Sequence, residues 1–325
     1  MVCLAGASES FAHAAEYFLP RMSGLKLSES TVERVSEAVG DEVGQAIEDK
    51  IAFDEAQSWK WHKDAEGLSC AYVSIDMTGI RKQGPKASSA EGEMIAVGIV
   101  YNPVPESRDQ WADPGVRRRP SWQTRYVTSL KGQEAVAEPL RQMATRAGMS
   151  EANRWIAVCD GGGGLEDLLK RHFGRIDEVI LDFYHASEYL SDFAKAWHCD
   201  ASEASQAHTE WSHRLKHEGG ETILAWLEGL EVDVPPRARG AWEVIVTYFR
   251  NQCHRMDYPR YLSKGWQIGS GPVEAACKLV INERLNGTGM RWGHEGADAL
   301  GHLRALRLSE PSLWTGFWTN RGKAA

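Results

Sequence analysis

This sequence predicts an α/β fold, a mixed sheet with helices packed on it, and three observations carry that prediction. Three β-rich segments follow one another between Leu68 and Lys131. Strand and helix then alternate as far as about Ala186. Beyond that point the apolar residues recur at helical spacing for a long way.

Residues 1–60 read as helical. "SESFAHAAEYFLPRM" is amphipathic up to Pro20. "LSESTVERVSEAVGDEVGQAIEDKIAF" opens with a Ser/Thr cap cluster and places Val32, Val35, Val39, Val43 and Ile47 on one face. Two helices joined by a turn suit a helix-turn-helix, and equally any helical hairpin. Residues 61–186 carry the strands "LSCAYVSID", "EMIAVGIVYN", "TRYVTSLK", "NRWIAVCD" and "DEVILDFYH", with helices in "GQEAVAEPLRQMATRAG" and "GGLEDLLKRHF". Residues 187–264 form an all-helical stretch broken most clearly at "EVDVPPRARG". Residues 265–325 supply a closing helix and a tail that ends in aromatic residues.

Bulk properties narrow the class. A chain of 325 residues holds two modest domains, or one with a large insertion. Hydrophobic content of 42% and charged content of 25% are ordinary for a globular protein. No run of eighteen apolar residues suggests a membrane span, and the acidic start with Glu9 and Glu16 is unlike a secretory signal. The six cysteines are scattered with no C-x-x-C pair, which speaks against a zinc knuckle or a disulfide scaffold and for a reducing cytoplasm. The net charge of −8 is unfavourable for phosphate binding. Basic residues are unevenly spread, however: from Arg237 onward there are 13 Lys and Arg against 7 Asp and Glu. "GIRKQGPK" and "GVRRRPSWQTRY" add two basic loops.

Three carboxylates stand at element ends. Asp76 is expected to close the first strand, on the face of Cys70, Tyr72 and Ser74. Asp160 closes "WIAVCD" and enters a run of glycines, where α/β sheets bind ligands; Asp-Gly is also a common turn pair. Glu274, in "GWQIGSGPVEAACKLVIN", falls in the first turn of a helix opened by Gly271 and Pro272. There it also serves as a cap acid at the positive end of the helix dipole, with Lys278 one turn on. Asp182 and His185 sit where "ILDFYHAS" leaves a strand for a helix; Asp182 is equally suited to capping that helix, and a lone histidine is commonly a core residue. Together the carboxylates suit hard divalent cations bound by oxygen, which activate an attacking oxygen and stabilise a leaving one at a phosphodiester.

With those residues in view, the sequence resembles bacterial insertion-sequence transposases of the DDE type, specifically the ISKra-type family. The matching stretches are "SIDMTGIR", "CDGGGGLEDLL", "LDFYHASEYL" and "GWQIGSGPVEAACKLVINERLNGTGMRWGHEGADALGHLRAL". The resemblance implies an RNase H-like mixed sheet, interrupted by the helical insertion. It implies Asp76, Asp160 and Glu274 as catalytic ligands of Mg²⁺, with Mn²⁺ as a substitute. Asp182 and His185 match a signature of Mutator-like relatives, beside the active site. The 113 residues between Asp160 and Glu274 leave room for the insertion. The implied partner is double-stranded DNA, both transposon ends and target, met by a dimer or higher multimer in the cytoplasm. Arg81, Lys82, Arg117, Arg118, Arg119, Lys278, Arg284 and Arg291 are the candidate DNA-contacting cations. Trp292 is the candidate for stacking on an unpaired base, and equally suits a core. The family carries a longer N-terminal region with cysteine-containing elements, so a shortened copy is expected here.

Two other functions suit parts of the sequence. A non-catalytic DNA-binding remnant needs no intact metal site. A dinucleotide-binding oxidoreductase accounts for the strand, glycine loop and helix of "WIAVCDGGGGLEDLLKRHF". Its G-x-G-x-x-G register fails because the third glycine falls on Glu166 or Asp167. Those acids also repel a pyrophosphate at the helix start.

Overall fold

The structure is a computed structural model that describes residues 1–85, 88, 91–103 and 123–324. It is a mixed α/β protein whose strands pair in both parallel and antiparallel senses. In chain order the elements begin with α1 (Val2–Ser8), α2 (Phe11–His13), a π turn (Ala14–Phe18), α3 (Leu19–Ser23) and α4 (Glu29–Glu48). There follow β1 (His62–Lys63), β2 (Ser69–Ile80), β3 (Glu93–Tyr101), β4 (Thr124–Ser129), α5 (Gln133–Arg146), β5 (Arg154–Cys159), α6 (Leu165–His172) and β6 (Glu178–Leu181). The long helical run comprises α7 (Phe183–Trp197), α8 (Ala201–Glu218), α9 (Gly220–Gly229), α10 (Arg239–Gln252) and α11 (Tyr258–Ser263). The chain closes with α12 (Gly271–Ala276), a second π turn (Cys277–Asn282), α13 (Glu283–Leu285), α14 (His294–Leu308) and α15 (Leu313–Ala324). Two compact units result: Met1–His62, Ala71–Ala152 and Gly271–Ala325 make the first, Lys63–Cys70 and Asn153–Ser270 the second.

In the first unit β2, β3 and β4 form an antiparallel meander, with Asp76 opposite Val97 and Val97 opposite Thr128. β2 runs four residues past Asp76, to Ile80. The expectation that Asp76 closes the strand is therefore corrected: Met77 to Ile80 find partners in Ala96 to Glu93, and pairing outlasts the hydrophobic run. Every residue from Ile95 to Tyr101 is buried, because helices cover both faces. A Cβ on Gly98 would meet Val136 and Leu140 of α5, while Ile95 lies against Gly301 of α14 on the opposite face.

The N-terminal helices belong to this core. Val32, Val39 and Val43 of α4 are buried. Gly40 lies so close to α14 that a Cβ would stand 2.1 Å from the Ala299 carbonyl oxygen, so no larger residue fits that seam. The outward face of α4 carries Glu29, Glu33, Asp41, Glu42 and Glu48 against Arg34, a sign that repels phosphate. The N-terminal helical segment does not stop at Pro20. The π turn before it widens the spiral, which relieves the clash of the proline ring with the carbonyl four residues back, and the helix ends at Gly24 (φ 70°).

In the second unit β5 and β6 pair in parallel, Ile156 opposite Glu178, with α6 as the crossover. The helices α7 to α11 are tied to this pair. The Tyr258 hydroxyl donates to the Leu181 carbonyl at 3.1 Å, and Phe183 packs edge-on against Tyr258. At the start of the unit Asp64 is buried and accepts from the backbone N–H of Glu66 and of Leu68, both at 2.9 Å. It also accepts from the Trp266 indole at 3.3 Å and pairs with Arg154 at 3.2 Å. Burial raises its pKa, but these donors outweigh burial and hold the carboxyl below its ordinary value. A depressed folded-state pKa contributes stability above the unfolded value of about 3.9 and loses it as pH falls through the folded one. Denaturant midpoints measured between pH 6 and 2 are expected to fall below pH 4, with a shallower fall in Asp64→Asn.

Candidate active site

Asp76 lies half-buried in the middle of β2. Its Oδ1 accepts the backbone N–H of Met77 at 2.7 Å, and its Oδ2 faces the Cys277 thiol at 3.7 Å. Glu274 is exposed in the first turn of α12, three residues before Cys277. Burial first, then the charges of Asp76 and Glu274, push the Cys277 thiol well above its usual pKa. Asp76 thus lies against a side chain that follows Glu274 by three residues. Cys277 and Ile281, in the π turn that follows α12, are buried.

The helical segment is fixed to β2 at several points. Thr78 Oγ1 bonds to Asn282 Oδ1 at 3.1 Å, and the Asn286 amide donates to the Gly79 carbonyl at 2.8 Å. The π turn that follows α12 is held from behind by buried Arg304, whose Nε donates to the Val280 carbonyl at 2.6 Å. Single π turns inside helices are frequent at functional sites.

In the second unit Asp160 follows β5 directly and is half-buried. Its Oδ1 accepts the backbone N–H of Gly162 at 2.9 Å, closing an Asx-type turn. Asp182 is 3% exposed and accepts from three backbone donors. Oδ1 accepts from Tyr184 N at 3.2 Å and Ser270 N at 3.1 Å, and Oδ2 from His185 N at 3.2 Å. Of its two sequence roles, capping α7 is the one seen. His185 is partly exposed, with Nδ1 3.6 Å from Glu188 and its ring edge-on to Tyr189 and Tyr248.

The basic candidates divide. In the first unit the Arg81–Gln83 and Arg291–Trp292 segments run together, with Trp292 N donating to Arg81 O at 3.0 Å and Gln83 N to Trp292 O at 2.8 Å. Arg81 and Arg291 are exposed there, and Lys82 pairs with Glu93 at 3.3 Å. Lys278 is exposed one turn beyond Glu274. Arg284 is not a surface contact. It is 3% exposed, donates to the Gly6 carbonyl at 2.9 Å, and lies over the rings of Phe11 and Trp292. Burial lowers its pKa to about 10. Trp292 is likewise buried, its indole donating to the Leu285 carbonyl at 2.8 Å; its core role is the one seen. Arg117, Arg118 and Arg119 lie outside the described residues.

Among the described residues no three His, Cys, Asp or Glu side chains are gathered as one metal-ligand group. The carboxylates at Asp76, Glu274 and Asp160 nevertheless have the chemistry of hard-cation donors, oxygen throughout. Residues around Asp160 that sequence reasoning missed are Tyr248 and Arg255. Each sits in an ordinary-looking amphipathic helix or turn, and no local pattern marks either. No protein-family model matches the chain, and no match was found among curated proteins.

Proposed function

We propose that this chain is a DDE-type DNA transposase that cleaves and joins DNA strands at the ends of an insertion sequence in the presence of Mg²⁺ or Mn²⁺. The observation that supports this most is that Asp76, on a strand, lies 3.7 Å from the thiol of Cys277, three residues beyond Glu274 at the start of a helix. Asp160, at a strand end followed by glycines, is the third ligand in this reading. The bound ion would activate the attacking oxygen and stabilise the leaving one. The chain's own part is to hold three anionic oxygens ready, and to offer phosphate the exposed cations Arg81, Arg291 and Lys278. Asp182 and His185 follow Asp160 in the chain and lie beside the active site in this reading, with Asp182 capping α7. The partner is double-stranded DNA, engaged as a multimer on paired ends. Among the described residues no helix is long and apolar enough to cross a membrane.

The oxidoreductase reading is disfavoured by the glycine loop itself. The first turn of α6 presents Glu166, which Lys170 at 2.7 Å and His254 at 3.1 Å already engage, where a pyrophosphate needs free amides. The experiment is strand cleavage of a labelled duplex carrying the terminal sequence of the host element. Cleavage in Mg²⁺ that a chelator abolishes is expected. Binding without cleavage in either metal would instead make the chain a non-catalytic DNA-binding protein.

A further inference from the structure

The turn that carries Asp160 is gripped from two sides by residues of the helical segment. Arg255, three residues past the end of α10, is 2% exposed. Its Nη2 donates to the Asp160 carbonyl at 3.0 Å and lies 3.1 Å from the Cys159 sulfur. Its Nη1 donates to Gln252 at 3.1 Å and stands 3.7 Å from Glu166. A buried guanidinium in this position fixes where β5 ends and how the backbone leaves it.

Tyr248 of α10 approaches the same turn at Gly161. A Cβ on Gly161 would stand 2.7 Å from the Tyr248 hydroxyl oxygen, so only glycine admits the phenol there. That hydroxyl is buried and, among the described residues, has no hydrogen-bond partner. The ring is stacked on Tyr189 at 3.8 Å with 14° between planes, which holds the hydroxyl in place. A buried donor left unmet is costly, and one beside a candidate metal ligand calls for an acceptor that arrives with function.

We propose that Arg255 and Tyr248 are positioning residues for Asp160: they lock the Asp160–Gly162 turn so that the carboxylate is presented to a divalent cation already oriented. This rests on the functional reading above. It makes the helical segment part of the catalytic centre, because residues beyond α9 set the orientation of a strand-end ligand. Outer residues of this kind typically change metal affinity by 10- to 100-fold.

The test is Mn²⁺ binding to the full chain without DNA, followed by electron paramagnetic resonance, in the parent, Asp160→Ala, Tyr248→Phe and Arg255→Lys. Tyr248→Phe keeps the ring stack and removes no hydrogen bond, so misfolding does not explain its effect. Asp160→Ala is expected to lose the site, and Tyr248→Phe and Arg255→Lys to weaken Mn²⁺ binding about tenfold or more, with the melting temperature of Tyr248→Phe unchanged. Parent-like binding in Tyr248→Phe and Arg255→Lys, with loss only in Asp160→Ala, overturns the positioning role and leaves the functional reading standing. Binding indifferent to Asp160→Ala overturns the functional reading, and the positioning role with it.

Discussion

Replacing Arg304 by methionine is expected to lower stability by about 3 kcal/mol, read from urea denaturation. Arg304 is 4% exposed. Its guanidinium donates to the carbonyls of Val280, Leu279 and Ala7, and so joins α14 to the π turn and to α1. Burial first, and then the neighbouring Arg307 and Arg284, lower its pKa to about 10, so it remains charged at neutral pH. Methionine fills comparable space but leaves three carbonyls without their donor. Each buried group left unpaired costs about 1–3 kcal/mol. Relief from burying a charge offsets part of that. Lysine keeps the charge but not the planar fork, so Arg304→Lys should recover only a fraction. A methionine variant as stable as the parent would show that these carbonyls find other donors.

Glu274→Gln is expected to abolish strand cleavage, by about 10³-fold or more, while leaving the fold intact. A ligand carboxylate turned into an amide forfeits several kcal/mol of charge stabilisation, and each 1.36 kcal/mol is a factor of ten in rate. The helix-start role is much smaller, about 0.3–1 kcal/mol at an exposed first turn. A large loss of rate with a small loss of stability separates the two roles of this residue. Time courses on the terminal duplex and melting curves measure both. Cleavage within tenfold of the parent would return Glu274 to a helix-start acid alone.

Much of the architecture was legible because periodicity follows burial. The strands of residues 68–181 and the helices of 183–263 begin and end close to where alternation and helical spacing place them. What failed was local termination. Asp76 looked like a stop because a carboxylate ends a hydrophobic run, yet β3 supplies pairing partners through Ile80. Pro20 looked like a stop because its ring clashes in a regular helix, and a π turn removed the clash. For the site, Glu274 was readable from Gly271 and Pro272, which start its helix abruptly. Arg284 was misplaced toward the surface because sequence gives residue type but not the ring and carbonyl that bury a cation. Arg255 and Tyr248 were invisible for the converse reason: their contacts with the Asp160 turn join segments nearly ninety residues or more apart.

The proposed transposase function requires Asp76, Asp160 and Glu274 to serve one metal site. Iron(II) substituted for Mg²⁺, with ascorbate and peroxide, cuts a protein backbone close to the ions it binds. Cuts near all three carboxylates are predicted, competed away by Mg²⁺ and lost together in Asp160→Ala. Cuts confined to one of the three segments, or unchanged in Asp160→Ala, would contradict it.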